Sequence, residues 1–139
     1  MEAYPMPLFV KLEVQNMTYS LNWYKEVLQF TSVFELADQQ GNSVMAHIRG
    51  EKYQDIMLLS SGGKSNEGKK GQGVTLNVAA KEIEPFYKRA AQFSPANVVE
   101  GPVNRPWNAR ELVLQDPDGY LITLSMVIDQ SRAFDDVMG

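Results

Sequence analysis

The sequence predicts an α+β fold of two tandem βαβββ modules whose curved mixed sheets surround a cleft. Three observations carry this. The order strand, helix, strand, strand, strand can be read twice along the 139 residues. The two helical segments echo each other: WYKEVLQF (23–30) and FYKRAAQF (86–93) both open on an aromatic and share Tyr, Lys, Gln and Phe, 63 residues apart. Between the halves lies SSGGKSNEGKKGQG (60–73), which is polar, rich in glycine and without periodicity, as a linker or long surface loop is. The modules are accordingly placed at 1–60 and 74–128, with a linker at 61–73 and a tail at 129–139.

Each element has a local cause. From 8 to 14, Leu8, Val10, Leu12 and Val14 alternate with Phe9, Lys11 and Glu13, the period of a half-buried strand. Asn16 suits a helix N-cap, and Met17, Leu21, Tyr24 and Leu28 recur at helical spacing behind it. Trp23 and Tyr24 on that helix read as core or interface residues. Strands are expected at 31–36, 43–49 and 54–60, the first two joined by a Gly41-Asn42 turn. After the linker, Val74, Leu76 and Val78 alternate with Thr75, Asn77 and Ala79. A helix over 81–93 follows, tolerating Pro85 near its first turn. Strands are then expected at 96–100, 109–115 and 120–127. Asp116-Pro117-Asp118-Gly119 is a strong turn signal between the last two, because Asp accepts local backbone bonds, Pro presets φ and Gly adopts the left-handed conformation at little cost.

In this reading the helices cover the faces of Val10, Leu12, Val14 and of Val74, Leu76, Val78. Phe9, Lys11, Glu13, Thr75, Asn77, Thr123 and Ser125 are left to line the opposite faces, and a cleft between sheets is an ordinary place for a ligand.

Composition narrows the function classes. With no cysteine, the chain has no disulfide, thiolate metal site or thiol nucleophile. A net charge of −4 disfavours general nucleic-acid binding, which needs a basic footprint, and mildly favours a cationic partner. No apolar run approaches the roughly 20 residues of a membrane span, and the N-terminal MEAYPMPLF lacks the basic and apolar regions of a secretion signal. A cytoplasmic protein without membrane contact is expected. The glycine–lysine cluster at 68–71 lacks the Gly-Lys-Ser/Thr ending of a phosphate loop, no dinucleotide fingerprint occurs, and His47 has no visible Ser–Asp companions for a triad.

LEVQNMTYSLNWYKEVLQF (12–30) and RPWNARELVLQDPDGYLITLS (105–125) resemble the opening strand–helix and closing hairpin of the vicinal-oxygen-chelate superfamily, which includes glyoxalases, extradiol dioxygenases and bleomycin-resistance proteins. The likeness spans about 8–127, and Pro106-Trp107, Arg110-Glu111 and the Asp-Pro-Asp-Gly turn are most similar to the bleomycin-resistance branch. In the superfamily's enzymes, His and Glu from the first and last strands of each module hold a divalent metal. The resemblance maps those positions onto Phe9, Leu58, Thr75 and Thr123. Phenylalanine and leucine cannot ligate, and threonine hydroxyls are poor neutral donors for a divalent cation, so no metal and no cofactor are expected. His47, on a middle strand, reads as a surface or cavity-wall residue, and Glu111 as a partner of Arg110 or Lys11.

The resemblance therefore implies a metal-free homodimer that holds a small cationic or aromatic molecule, sequestering a drug or metabolite. The expected ligand-binding set is Phe9, Lys11, Glu13, Leu58, Thr75, Asn77, Trp107, Glu111 and Thr123, with no catalytic residue. Trp107 is either an aromatic wall of the cleft or a core or dimer-contact residue. The alternative is a metal-dependent glyoxalase-like lyase or dioxygenase-related enzyme with ligands placed elsewhere.

Overall fold

The computed structural model describes residues 4–62 and 70–132 and separates into two units, Met1–Gly68 and Lys69–Gly139. Residues 63–69, the middle of the stretch read as a linker, lie outside the described residues, as do 133–139 with Phe134 and Val137 of the tail.

The first unit runs β1 (Val10–Val14), α1 (Met17–Leu28), β2 (Thr31–Ala37), β3 (Ser43–Arg49) and β4 (Asp55–Ser60). Its sheet has the order β1-β4-β3-β2, with β1 parallel to β4 and the other neighbours antiparallel. The helix starts where the sequence places its cap: the Asn16 side chain accepts from the Tyr19 N–H at 2.9 Å, satisfying one of the donors a helix start leaves open. It ends at Gln29, whose left-handed backbone (φ 61°) lets its N–H close on the Lys25 carbonyl. Leu8 is 83 % exposed because pairing with β4 begins only at Val10 opposite Ile56, so the first strand is shorter than its alternation suggests.

The second unit repeats the plan with β5 (Thr75–Ala79), α2 (Glu84–Phe93), a single 3-10 turn (Pro95–Asn97), β6 (Val98–Arg105), β7 (Ala109–Gln115) and β8 (Leu121–Val127). The sheet order is β5-β8-β7-β6, again with one parallel pair, β5 and β8. Pro85 sits in the first turn of α2, where its missing N–H costs nothing. Gly101-Pro102 looks like a strand end in the sequence, yet β6 continues through it. The proline falls where the β6–β7 register shifts, between Glu100 and Val103, so no ladder N–H is demanded of it. Gly101 has a φ of +100°, and a Cβ there would lie 2.6 Å from the Glu111 carbonyl oxygen, so only glycine fits.

The β7–β8 turn is built around Asp116. Its buried carboxylate accepts from the N–H groups of Asp118 and Tyr120, each at 2.9 Å, while Gly119 supplies the positive φ. At the other end of the hairpin, Asn108 takes a φ of 62°. Its side-chain amide bonds both the carbonyl and the N–H of Asp129, fixing the start of the tail.

Each sheet has one helix-covered face. In the first unit it carries Leu12, Val14, Ala46, Ile48, Ile56 and Leu58, all buried, against Trp23, Tyr24 and Val27. In the second it carries Leu112, Leu114, Ile122 and Leu124, with Ile83 and Ala90 buried on the helical segment. Burying each of the larger aliphatic side chains is worth about 1.5–3 kcal/mol. The even-numbered residues of β1 and β5 are the inward set, as their alternation predicts.

Candidate functional site

Strand parity assigns the rest of each sheet to an open face. In the first unit that face carries Lys11 and Glu13 of β1, Asp55, Met57 and Leu59 of β4, Met45, His47 and Arg49 of β3, and Phe34 and Leu36 of β2. Lys11 and Glu13 thus lie where expected, and Phe9, just before β1, is 38 % exposed. Leu58 does not join them. It is in register with Leu12, so it faces the helix and is fully buried, and the open-face residues flanking it on β4 are Met57 and Leu59.

A polar network occupies the same face. The Asp55 carboxylate, its side chain wholly buried, accepts from Arg49 Nε at 2.8 Å and His47 Nε2 at 2.7 Å through one oxygen, and from the Tyr4 hydroxyl at 2.8 Å through the other. Burial would push the Asp55 carboxyl up, but the hydrogen bonds from Arg49, His47 and Tyr4 outweigh it and hold the carboxyl below its ordinary value. The Arg49 guanidinium lies 3.6 Å from the centre of the Tyr4 ring, which in turn stacks on Tyr53 with 5.5 Å between centroids. His47 is therefore tied to a carboxylate rather than left as a simple wall residue. The sequence signal was there: His47 and Arg49 fall on one side of β3, and Asp55 starts the strand directly across from Arg49.

In the second unit the open face gathers Thr75 and Asn77 of β5, Thr123 and Ser125 of β8, Glu111 and Val113 of β7, and Glu100 and Arg105 of β6. Thr75 and Asn77 are exposed, whereas Thr123 is buried. Glu111 does not pair with Arg110. Its carboxylate accepts from Arg105 Nε at 2.9 Å and from the Trp107 indole N–H at 3.2 Å. Residues 110 and 111 point to opposite faces of β7, so Arg110 bonds Glu84 of α2 at 2.7 Å instead. Arg105 also bonds Glu100, whose carboxyl it holds below its ordinary value. Trp107 is 47 % exposed beside this cluster, which with two carboxylates and one guanidinium is acidic.

The expected binding residues thus divide by unit, with Lys11 and Glu13 on one open face and Thr75, Asn77, Glu111 and Thr123 on the other. A further feature went unforeseen. An open groove of about 720 Å³ in the first unit runs along α1 and β2, lined by residues that include Asn16, Tyr19, Asn22, Lys25, Phe30 and Glu35. None of the nine expected ligand-binding residues lines it, although Leu21 of the helically spaced set does.

Among the described residues, no three His, Asp or Glu side chains cluster closely enough to hold a metal ion. The positions that the resemblance assigns to metal ligands do not fit one either: Phe9 and Leu58 are hydrocarbon, and Thr75 and Thr123 offer neutral hydroxyls. Among the same residues, no helix is long and apolar enough to cross a membrane.

Residues 8–124 match the family profile described as Glyoxalase/Bleomycin resistance protein/Dioxygenase superfamily. The chain belongs to this superfamily. Among solved structures, the superfamily member described here is similar to TioX from Micromonospora sp. ML1 at 16 % identity, with a TM-score of 0.69 over 86 % of this chain and 97 % of that one. It is also similar to TnmS3, an antibiotic binding protein from Streptomyces sp. CB03234, at 18 % identity, with a TM-score of 0.63 over 86 % and 93 %. A virulence protein of Salmonella typhimurium is 23 % identical, with a TM-score of 0.59 over 85 % and 93 %. At such identities these likenesses establish the fold alone. No curated protein matches the sequence.

Proposed function

We propose that this superfamily member is a cytoplasmic, homodimeric protein that binds a small aromatic or cationic molecule without a metal and without transforming it, sequestering a drug or metabolite. The observation that carries this reading is the chemistry of the open faces. They combine aromatic and thioether surface (Phe34, Met45, Met57, Trp107) with fixed hydrogen-bonding groups (Arg49, Glu111, Arg105), while Phe9, Thr75 and Thr123, which the resemblance assigns to metal ligands, hold hydrocarbon and hydroxyl side chains. The likeness in fold to an antibiotic binding protein supports the same reading. The acidic Glu100–Arg105–Glu111 cluster beside an exposed indole suits the cationic part of a ligand, through charge and ring stacking together.

Tryptophan fluorescence tests it. Trp23 is fully buried and Trp107 half exposed, so quenching by a ligand reports chiefly on Trp107. Titration with metal-free bleomycin should give saturable quenching that weakens with salt. An unchanged signal would remove this cationic drug as a ligand and turn the search to smaller, less cationic compounds.

A further inference from the structure

His47 lies in a row of four side chains running straight across the open face of the first unit's sheet. The strand registers place Phe34 of β2 beside His47, His47 beside Met57 of β4, and Met57 beside Lys11 of β1. Neighbouring strands are about 4.8 Å apart, so the row is roughly 14 Å long. It offers, in order, an aromatic ring, an imidazole, a thioether and an ammonium group.

The imidazole's state follows from its partner. The Asp55 carboxylate is ionised, surrounded by donors from Arg49 and Tyr4, and can only accept. The bond at 2.7 Å therefore requires a hydrogen on His47 Nε2. In the neutral ring that leaves Nδ1 as a lone-pair acceptor, and Nδ1 has no partner among the described residues. The imidazole keeps 12 % of its surface open. A carboxylate behind a histidine fixes its orientation and tautomer. The charged groups around it are Asp55 and Arg49, with Lys11 and Glu13 of β1 on the same face.

We propose that this row recognises a flat aromatic carrying an acidic hydroxyl, with His47 Nδ1 accepting that hydroxyl's proton. The ring lies over Met57, between His47 and Lys11, as a thioether surface favours. The O–H bond breaks, its proton moves to Nδ1, and the phenolate remains paired with the new imidazolium, with Lys11 at the end of the row adding positive potential. Apart from this reversible proton transfer the ligand is unchanged. This deepens the binding function proposed above, and rests on it, by naming a ligand class for one face.

The test uses 4-nitrophenol and its methyl ether 4-nitroanisole, which has no hydroxyl, on the untagged chain. His47 is the sole histidine of the sequence, so its imidazole 15N resonances are unambiguous. In the native protein the phenol should bind about tenfold more tightly than the ether, the worth of one good hydrogen bond, and Nδ1 should gain a proton as the nitrophenolate absorption appears. His47→Leu should reduce the preference to less than about twofold, read as the ratio of the two affinities on the same variant. If phenol and ether bind the native protein equally, or the phenol is preferred with the imidazole spectrum unmoved, the role of His47 is overturned and small-molecule binding stands. If neither probe binds, the first unit's open face is not a site for small aromatics, and both readings fail for that unit. The comparison of two ligands on one unaltered protein decides the matter even if the variant folds poorly.

Discussion

The two helices begin from matching sequence and end in different surroundings. Tyr24 and Phe30 of the first unit are 0 % and 3 % exposed, whereas their counterparts Tyr87 and Phe93 are 39 % and 41 % exposed. Helix α1 buries Met17, Ser20, Trp23, Tyr24, Val27 and Leu28, but α2 buries only Ala90. The difference lies in what packs beneath. At the position of Val27 the second helix has Ala90, and at that of Leu28 it has Ala91, so α2 fills far less volume against its sheet. The second unit's hairpin is fixed by Asp116 at one end and Asn108 at the other. A repeated motif therefore marks where a module lies in the sequence without dictating how deeply its side chains are buried.

The largest expected effect breaks this contrast at its centre. Trp23→Ala should cost about 3–5 kcal/mol by leaving a cavity in the first core. Tyr87→Ala should cost under about 1 kcal/mol, because its side chain is already exposed. Chemical denaturation of both variants checks the pair, and equal losses would refute the asymmetry.

Next is Asp55→Asn, which weakens three charge-assisted or carboxylate bonds and should cost about 1.5–3 kcal/mol. The sign of its pH dependence follows from the depressed carboxyl. The native stabilisation is fully present above the unfolded carboxylate value of about 3.9 and fades as pH falls through the lower folded value. Thermal melting from neutral pH into this acid range should show a steeper loss in the native protein than in the variant.

Backbone substitutions sharpen the comparison further. Gly101→Ala forces a Cβ against the Glu111 carbonyl at positive φ and should cost about 1–3 kcal/mol. Gly41→Ala, also at positive φ but with nothing within 4 Å, should cost about 1 kcal/mol. The smallest effect is expected from Arg110→Ala, since its partner Glu84 is largely exposed and such pairs contribute roughly 0–1 kcal/mol.

Most of the fold was legible because strand alternation and helix capping are local. The alternation of residues 8–14, the Asn16 cap and the Asp-Pro-Asp-Gly turn each specify structure from a few neighbours. The register between strands is a longer-range property, and the site depends on it. Leu58 was assigned to the open face, but one residue of register decides which face a side chain takes, and pairing with Leu12 turns it inward. Arg110 was one expected partner of Glu111, but parity separates the two and brings Arg105 across from β6. The buried Asp55 network joins Tyr4 to β3 and β4, 51 residues apart in sequence, so spacing alone did not reveal it.

The central claim is that an open sheet face of this protein binds a small molecule without a metal. The most direct test follows Trp107 fluorescence during ligand titration of chelator-treated protein, then repeats it with divalent zinc, manganese, nickel or iron restored. The account predicts the same saturable change in both, with no stoichiometric metal retained on purification. Binding that appears only when a divalent ion is added would contradict it and return the protein to the metal-dependent members of its superfamily.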